Sequence, residues 1–147
     1  MNQMTYDISA LGDLEGKMLS LEQADTLLKL IADQTRRLTA IRIHEYGQKS
    51  DGSAIGLYSD NYLKWRRNNG YQSTGSNIVL FLTGQMQRDW KVIAISDREY
   101  GLGYDNEFNA DKADWAEERF GEIFKLTESE YEVVKQIIND YIKTTFE

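Results

Sequence analysis

Asn77-Ile78-Val79-Leu80-Phe81-Leu82-Thr83-Gly84, continuing through Trp90-Lys91-Val92-Ile93-Ala94-Ile95, Ser96-Asp97-Arg98-Glu99 and Tyr100-Gly101-Leu102-Gly103-Tyr104, is the stretch whose reading decides the fold. Residues 78–82 are five consecutive large apolar side chains bounded by Asn and Gly. Such a run fits a strand covered on both faces or a piece of buried helix, and its shortness and β-branched content favour the strand. Two apolar runs flank the polar Ser96-Asp97-Arg98-Glu99, which predicts a β-hairpin with a four-residue loop. Gly101 and Gly103 fit a strand approached closely by another element, or a bulge.

Outward from this nucleus the signals are helical. Ser20-Leu21-Glu22-Gln23 reads as a capping box. Ala24, Leu27, Leu28, Ile31, Thr35 and Leu38 follow at three- and four-residue spacing. Gly47 supplies a stop, so a helix is predicted over 20–46, about 39 Å long. A small sheet does not cover that length, and one end is expected to project or meet a partner. Residues 1–18 read as an arm with a strand near 6–8. Residues 48–77 read as a loop region, with an Asp51-Gly52 turn and a short helix from Asp60, its expected cap, to Arg67. Beyond the hairpin, Asn109 is expected to cap a helix over 110–120 that ends at Gly121, and 122–126 to add an edge strand. Thr127-Glu128-Ser129-Glu130 forms a second capping box, with Leu126 and Tyr131 placed as a hydrophobic staple. Tyr131, Val134, Ile137, Ile138, Tyr141 and Ile142 give a final amphipathic helix over 127–144. The expectation is one α+β domain over 1–147. Its small antiparallel sheet, about residues 78–104 plus 122–126, is packed by the long N-terminal helix and the C-terminal amphipathic helix.

At 147 residues the chain is long enough to bury about 70% of the surface its unfolded form exposes. Without cysteine it has neither disulfides nor thiolate chemistry. Its first residues lack the basic and apolar regions of a signal peptide, and no apolar run approaches a membrane span, so a cytoplasmic protein is expected. The net charge of −7 arises entirely after Tyr104, where 12 acidic residues face 5 basic ones; before it, 12 face 12. Such a chain is a poor candidate for wrapping DNA, which requires cations to displace phosphate counterions. Tyr62, Lys64, Trp65, Arg66, Arg67 and Tyr71 form a local basic-aromatic cluster. Stacking on nucleic acid is one use of such a cluster, but three cations are a thin footprint. The plainer expectation buries Trp65 and leaves the arginines in solvent.

Candidate chemistry is sparse. His44, the single histidine, has no second His or Cys within helical reach and reads as a helix-end residue serving its own dipole. Glu117 and Glu118 are adjacent on a helix and point in different directions, so they do not form an acid/base pair. Gly101-Leu102-Gly103 lacks the third glycine and following helix of a phosphate loop. No catalytic residue, cofactor or metal site is expected.

The order of several short motifs resembles the virion-morphogenesis (tail-completion) proteins of tailed bacteriophages, the minor tail and neck proteins. The matching residues are Asp51-Gly52, then Tyr58, Tyr62, Lys64 and Arg66, then Leu80-Phe81-Leu82-Thr83-Gly84-Gln85-Met86 running on to Trp90. Trp115-Ala116-Glu117-Glu118-Arg119-Phe120-Gly121 follows, leading into Ile123-Phe124-Lys125-Leu126-Thr127-Glu128-Ser129-Glu130. The likeness spans about residues 20 to 143. It departs from the family where a histidine before Phe-Gly is replaced by Glu118 or Arg119, and where an Arg-Pro pair is replaced by Glu122-Ile123. The resemblance implies a structural, non-enzymatic protein of a phage or prophage that docks on other tail or connector proteins. It implies a homo-oligomer in the assembled virion, with no membrane and no sequence-specific nucleic-acid partner. The host cytoplasm during assembly, and then the virion, is the implied location. The expected interface sets Lys64, Trp65, Arg66 and Arg67 of one copy, with its projecting helix, against the acidic C-terminal third of a neighbour, including Glu117 and Glu118. The same charge and size also fit an acidic soluble binding module, such as an immunity protein or antitoxin that covers a basic toxin.

Overall fold

A helix forms wherever the sequence supplies both a cap and a stripe. In the computed structural model, which describes residues 4–5, 19–71 and 75–146, the first is α1 (Leu21–Ala40). Its capping box is complete: Ser20 Oγ accepts from Gln23 N at 3.0 Å, and Gln23 Oε1 accepts from Ser20 N at 2.9 Å. Thr35 and Thr39 lie on the buried face and return their hydroxyls to the carbonyls of Ile31 and Thr35, so neither leaves an unpaired polar group inside. The helix then widens into a π-helical turn, Ile41–Glu45, before Gly47 stops it with φ 63°. Buried residues run from Ala24 to His44, so the helix lies against the molecule along its length and the expected projecting end is not found.

Among the described residues, three strands form one antiparallel sheet in the order β1 (Met4–Thr5), β3 (Glu99–Tyr104), β2 (Trp90–Ser96). The hairpin is present, but Ser96 and Glu99 pair, so its loop is the two residues Asp97 and Arg98. Arg98 takes the left-handed conformation (φ 58°) that so short a loop requires. The expected strand near 6–8 lies outside the described residues.

Residues 78–82 are not a strand, and neither are 122–126. Both are irregular, with bends at Leu80 and Leu82 and at Phe124 and Lys125, and most of their bonded carbonyls are held by side chains. Tyr58 Oη donates to Val79 O at 2.6 Å, His44 Nδ1 to Leu80 O at 2.7 Å and Arg66 Nη2 to Phe81 O at 3.0 Å. In the second segment Arg42 donates to Ile123 O at 2.8 Å and Lys125 O at 2.9 Å, and Ser50 N to Glu122 O at 3.0 Å. Buried carbonyls need donors but not a neighbouring strand, and here long polar side chains supply them.

The remaining helices are α2 (Asp60–Asn68), α3 (Gln85–Arg88), α4 (Glu107–Phe120) and α5 (Glu128–Phe146). Two expected caps move. Ser59, one residue before Asp60, caps α2 through Tyr62 N, and Asn106 caps α4 through Phe108 N at 2.9 Å. Asn109 is drawn inside instead, where its Nδ2 donates to Asp89 Oδ2 at 2.9 Å. The second capping box holds: Glu130 Oε1 accepts from Thr127 N and Thr127 Oγ1 from Glu130 N. Leu126 is buried but Tyr131 stays exposed.

Two apolar clusters share Val92. One is centred on the rings of Trp90, Tyr104 and Phe124. In the other, Val134, Ile137, Ile138 and Tyr141 of α5 pack on Leu27, Leu28 and Ile31 of α1. The fold is α+β, with the long N-terminal and C-terminal helices against each other and the small sheet.

Candidate docking groove

Helix α2 carries the basic-aromatic cluster, and its geometry reverses the sequence expectation. Tyr58 and Tyr62 lie 4.8 Å apart between ring centroids, Tyr62 stacks on Trp65 at 5.7 Å, and Trp65 stacks on Tyr71 at 5.5 Å. Trp65 remains 45% exposed, whereas Arg66 is only 2% exposed. The Arg66 guanidinium lies 5.4 Å from the Tyr58 ring centroid and 5.9 Å from that of Tyr62, with Phe81 O as an acceptor. A planar, weakly hydrated cation is stabilised by stacking on rings and donating to a carbonyl, and here the interior offers both. Lys64 and Arg67 stay in solvent. The expected interface therefore divides: Lys64, Trp65 and Arg67 are presented at the surface, and Arg66 belongs to the interior.

Opposite α2 stands α4, with Lys112, Trp115 and Arg119 at three- and four-residue spacing along one face. Trp115 is 61% exposed, and the Arg119 guanidinium lies 5.8 Å from its ring centroid and 5.5 Å from that of Phe120. Between the two helices runs the 78–83 segment, ending on Met86 of α3. Together they enclose an open groove of about 670 Å³. Its floor is fixed from below, because the carbonyls of Val79, Leu80 and Phe81 are the three held by Tyr58, His44 and Arg66.

Glu117 and Glu118 do not line this groove. Glu117 Oε2 accepts from Ile123 N at 3.4 Å, and partial burial raises its pKa; Glu118 is exposed. Trp115, Arg119, Phe81 and Met86 are the residues that sequence reading passed over as interface. Their signal was present in the spacing along α4 and in the motif order, but nothing local says that the motifs meet.

His44 is not a helix-end surface residue. It is 1% exposed, and because a carbonyl only accepts, its bond to Leu80 O puts the proton on Nδ1. Nε2, 3.2 Å away, then accepts from the Tyr104 hydroxyl. Burial lowers the His44 pKa to about 4, so the ring is neutral near pH 7.

A second hollow, about 770 Å³, lies beside Arg42, Gln48 and Glu130, whose polar groups are already bonded to one another. Among the described residues, no group of three His, Cys, Asp or Glu could hold a metal ion, and no helix is long and apolar enough to cross a membrane.

Fold and site together define an α+β protein with an open, aromatic-walled groove. Comparison of the chain with protein-family models, with curated proteins and with solved structures gives no match.

Proposed function

We propose that this protein is a structural component of bacteriophage or prophage virion assembly, acting at the tail top or head-tail joint by docking on tail or connector proteins. One observation carries the reading. Three of the stretches on which the family resemblance rests are far apart in sequence, yet Tyr58, Tyr62 and Arg66, the 80–86 segment, and Trp115 with Arg119 all line one groove. A shared surface is a physical reason for those motifs to occur together, and an exposed tryptophan beside an apolar floor suits a protein contact. Assembly into a ring of copies follows from a head-to-tail contact whose rotation closes. In such a ring Lys64, Trp65 and Arg67 are the residues of the basic helix free to meet a neighbour's acidic surface. The protein then works in the host cytoplasm during assembly and remains in the virion.

Deleting the reading frame from the genome that encodes it and imaging the particles by negative-stain electron microscopy tests this. Separate heads and tails, or tails of aberrant length, are expected, with joining restored by supplying the protein in trans. Intact, infectious particles would overturn the reading. A neighbouring toxin that the protein neutralises would replace it with the acidic cover module.

A further inference from the structure

We propose that the groove receives an acidic, apolar segment of another protein, with large apolar side chains on the 78–83 floor and against Trp115 and carboxylates facing Lys112 and Arg119. The inference rests on the assembly reading only in taking the occupant to be a fellow component of the particle.

Charge carries it. The chain has 24 acidic residues and 17 basic ones. Among the described residues, the groove is lined by three cations, Arg66, Lys112 and Arg119, and by no carboxylate. Arg66 is already engaged inside, by Phe81 O and two tyrosine rings. Lys112 and Arg119 are exposed on the wall, and neither forms an ion pair among the described residues. A cationic rim over an apolar floor, on an otherwise acidic molecule, selects an anionic partner and orients it. The floor distinguishes between anionic partners. Val79, Leu80, Leu82 and Met86 are aliphatic side chains suited to Leu or Phe anchors. Two exposed cations are too few to hold a nucleic-acid backbone. The chain's own clearest acidic amphipathic segment, α5, already spends its apolar stripe on α1, so it is not free to fill the groove of a second copy.

The test uses the full chain and a fluorescein-labelled helical peptide of Leu, Phe and Glu, beside a counterpart with Lys in place of Glu. Fluorescence anisotropy is expected to show saturable binding of the Glu peptide alone, weakening with added salt. Lys112→Glu combined with Arg119→Glu is expected to lower its affinity about tenfold or more. Trp115→Ala should weaken binding comparably, and Lys143→Glu, on α5 and outside the groove, should leave it unchanged. Urea unfolding of each variant separates lost binding from lost fold. Equal binding of both peptides, or of neither, would overturn the proposal. So would an oligothymidylate that outcompetes the Glu peptide, or self-association in sedimentation that Trp115→Ala abolishes. These outcomes leave the deletion phenotype untouched, so the groove's chemistry and the assembly role fail separately.

Discussion

His44 is a residue whose ionisation the interior resists. Its neutral ring donates to Leu80 O and accepts from Tyr104, and burial holds its pKa near 4 against an ordinary 6.5. Between those values the unfolded chain binds a proton that the folded chain does not, so stability is lost as pH falls through this window. The loss is on the order of 3 kcal/mol once the window is crossed. Urea unfolding followed from above pH 6.5 to about 4 should show the fall, and His44→Gln, whatever its own cost, should flatten it. Glu117 acts in the opposite direction there: burial raises its pKa, so protonation favours the folded state. At this scale the sequence is least informative. Trp65 and Arg66 are neighbours, and an apolar ring is normally the one to go inside. Which of them is buried was decided by Tyr58 and by Phe81 O, and residues 58 to 66 alone do not disclose the carbonyl.

Elements were legible in proportion to how local their signals are. Both capping boxes, the stripes of α1 and α5, the stop at Gly47 and the hairpin depend on residues a few positions apart, and each is found. The runs 78–82 and 122–126 have the composition of strands, but pairing requires a partner edge, and buried side chains from distant elements take the carbonyls first. One glycine makes the first of these arrangements fit. At Gly47, φ is 63° and an added Cβ would stand 2.0 Å from Ile78 O. Gly47→Ala therefore combines backbone strain with a clash against backbone, and should destabilise the fold by more than about 1 kcal/mol. Its urea midpoint should fall well below that of Gly52→Ala, a left-handed glycine with nothing within 4 Å of an added Cβ.

For the molecule as a whole, Arg42 joins what the chain order separates. Its Nε lies 3.1 Å from both carboxylate oxygens of Glu130, and its other nitrogens donate to Gln48 O, Ile123 O and Lys125 O. Both partners are under a tenth exposed. Arg42→Met leaves Glu130 buried without its cation and should cost about 3–5 kcal/mol in chemical denaturation. Arg42→Lys should recover little, because one ammonium does not reproduce a planar fork of donors. This knot was hidden from sequence reading, since its members are 88 positions apart and Glu130 already had a visible task as a helix cap. It also sets a schedule. During synthesis the guanidinium emerges from the ribosome 88 residues before the carboxylate that neutralises it, so the nascent chain carries a cation without its buried partner until Glu130 has emerged. The start of α5 is thus the key that locks the earlier part, and this part of the core closes only once Glu130 has been made.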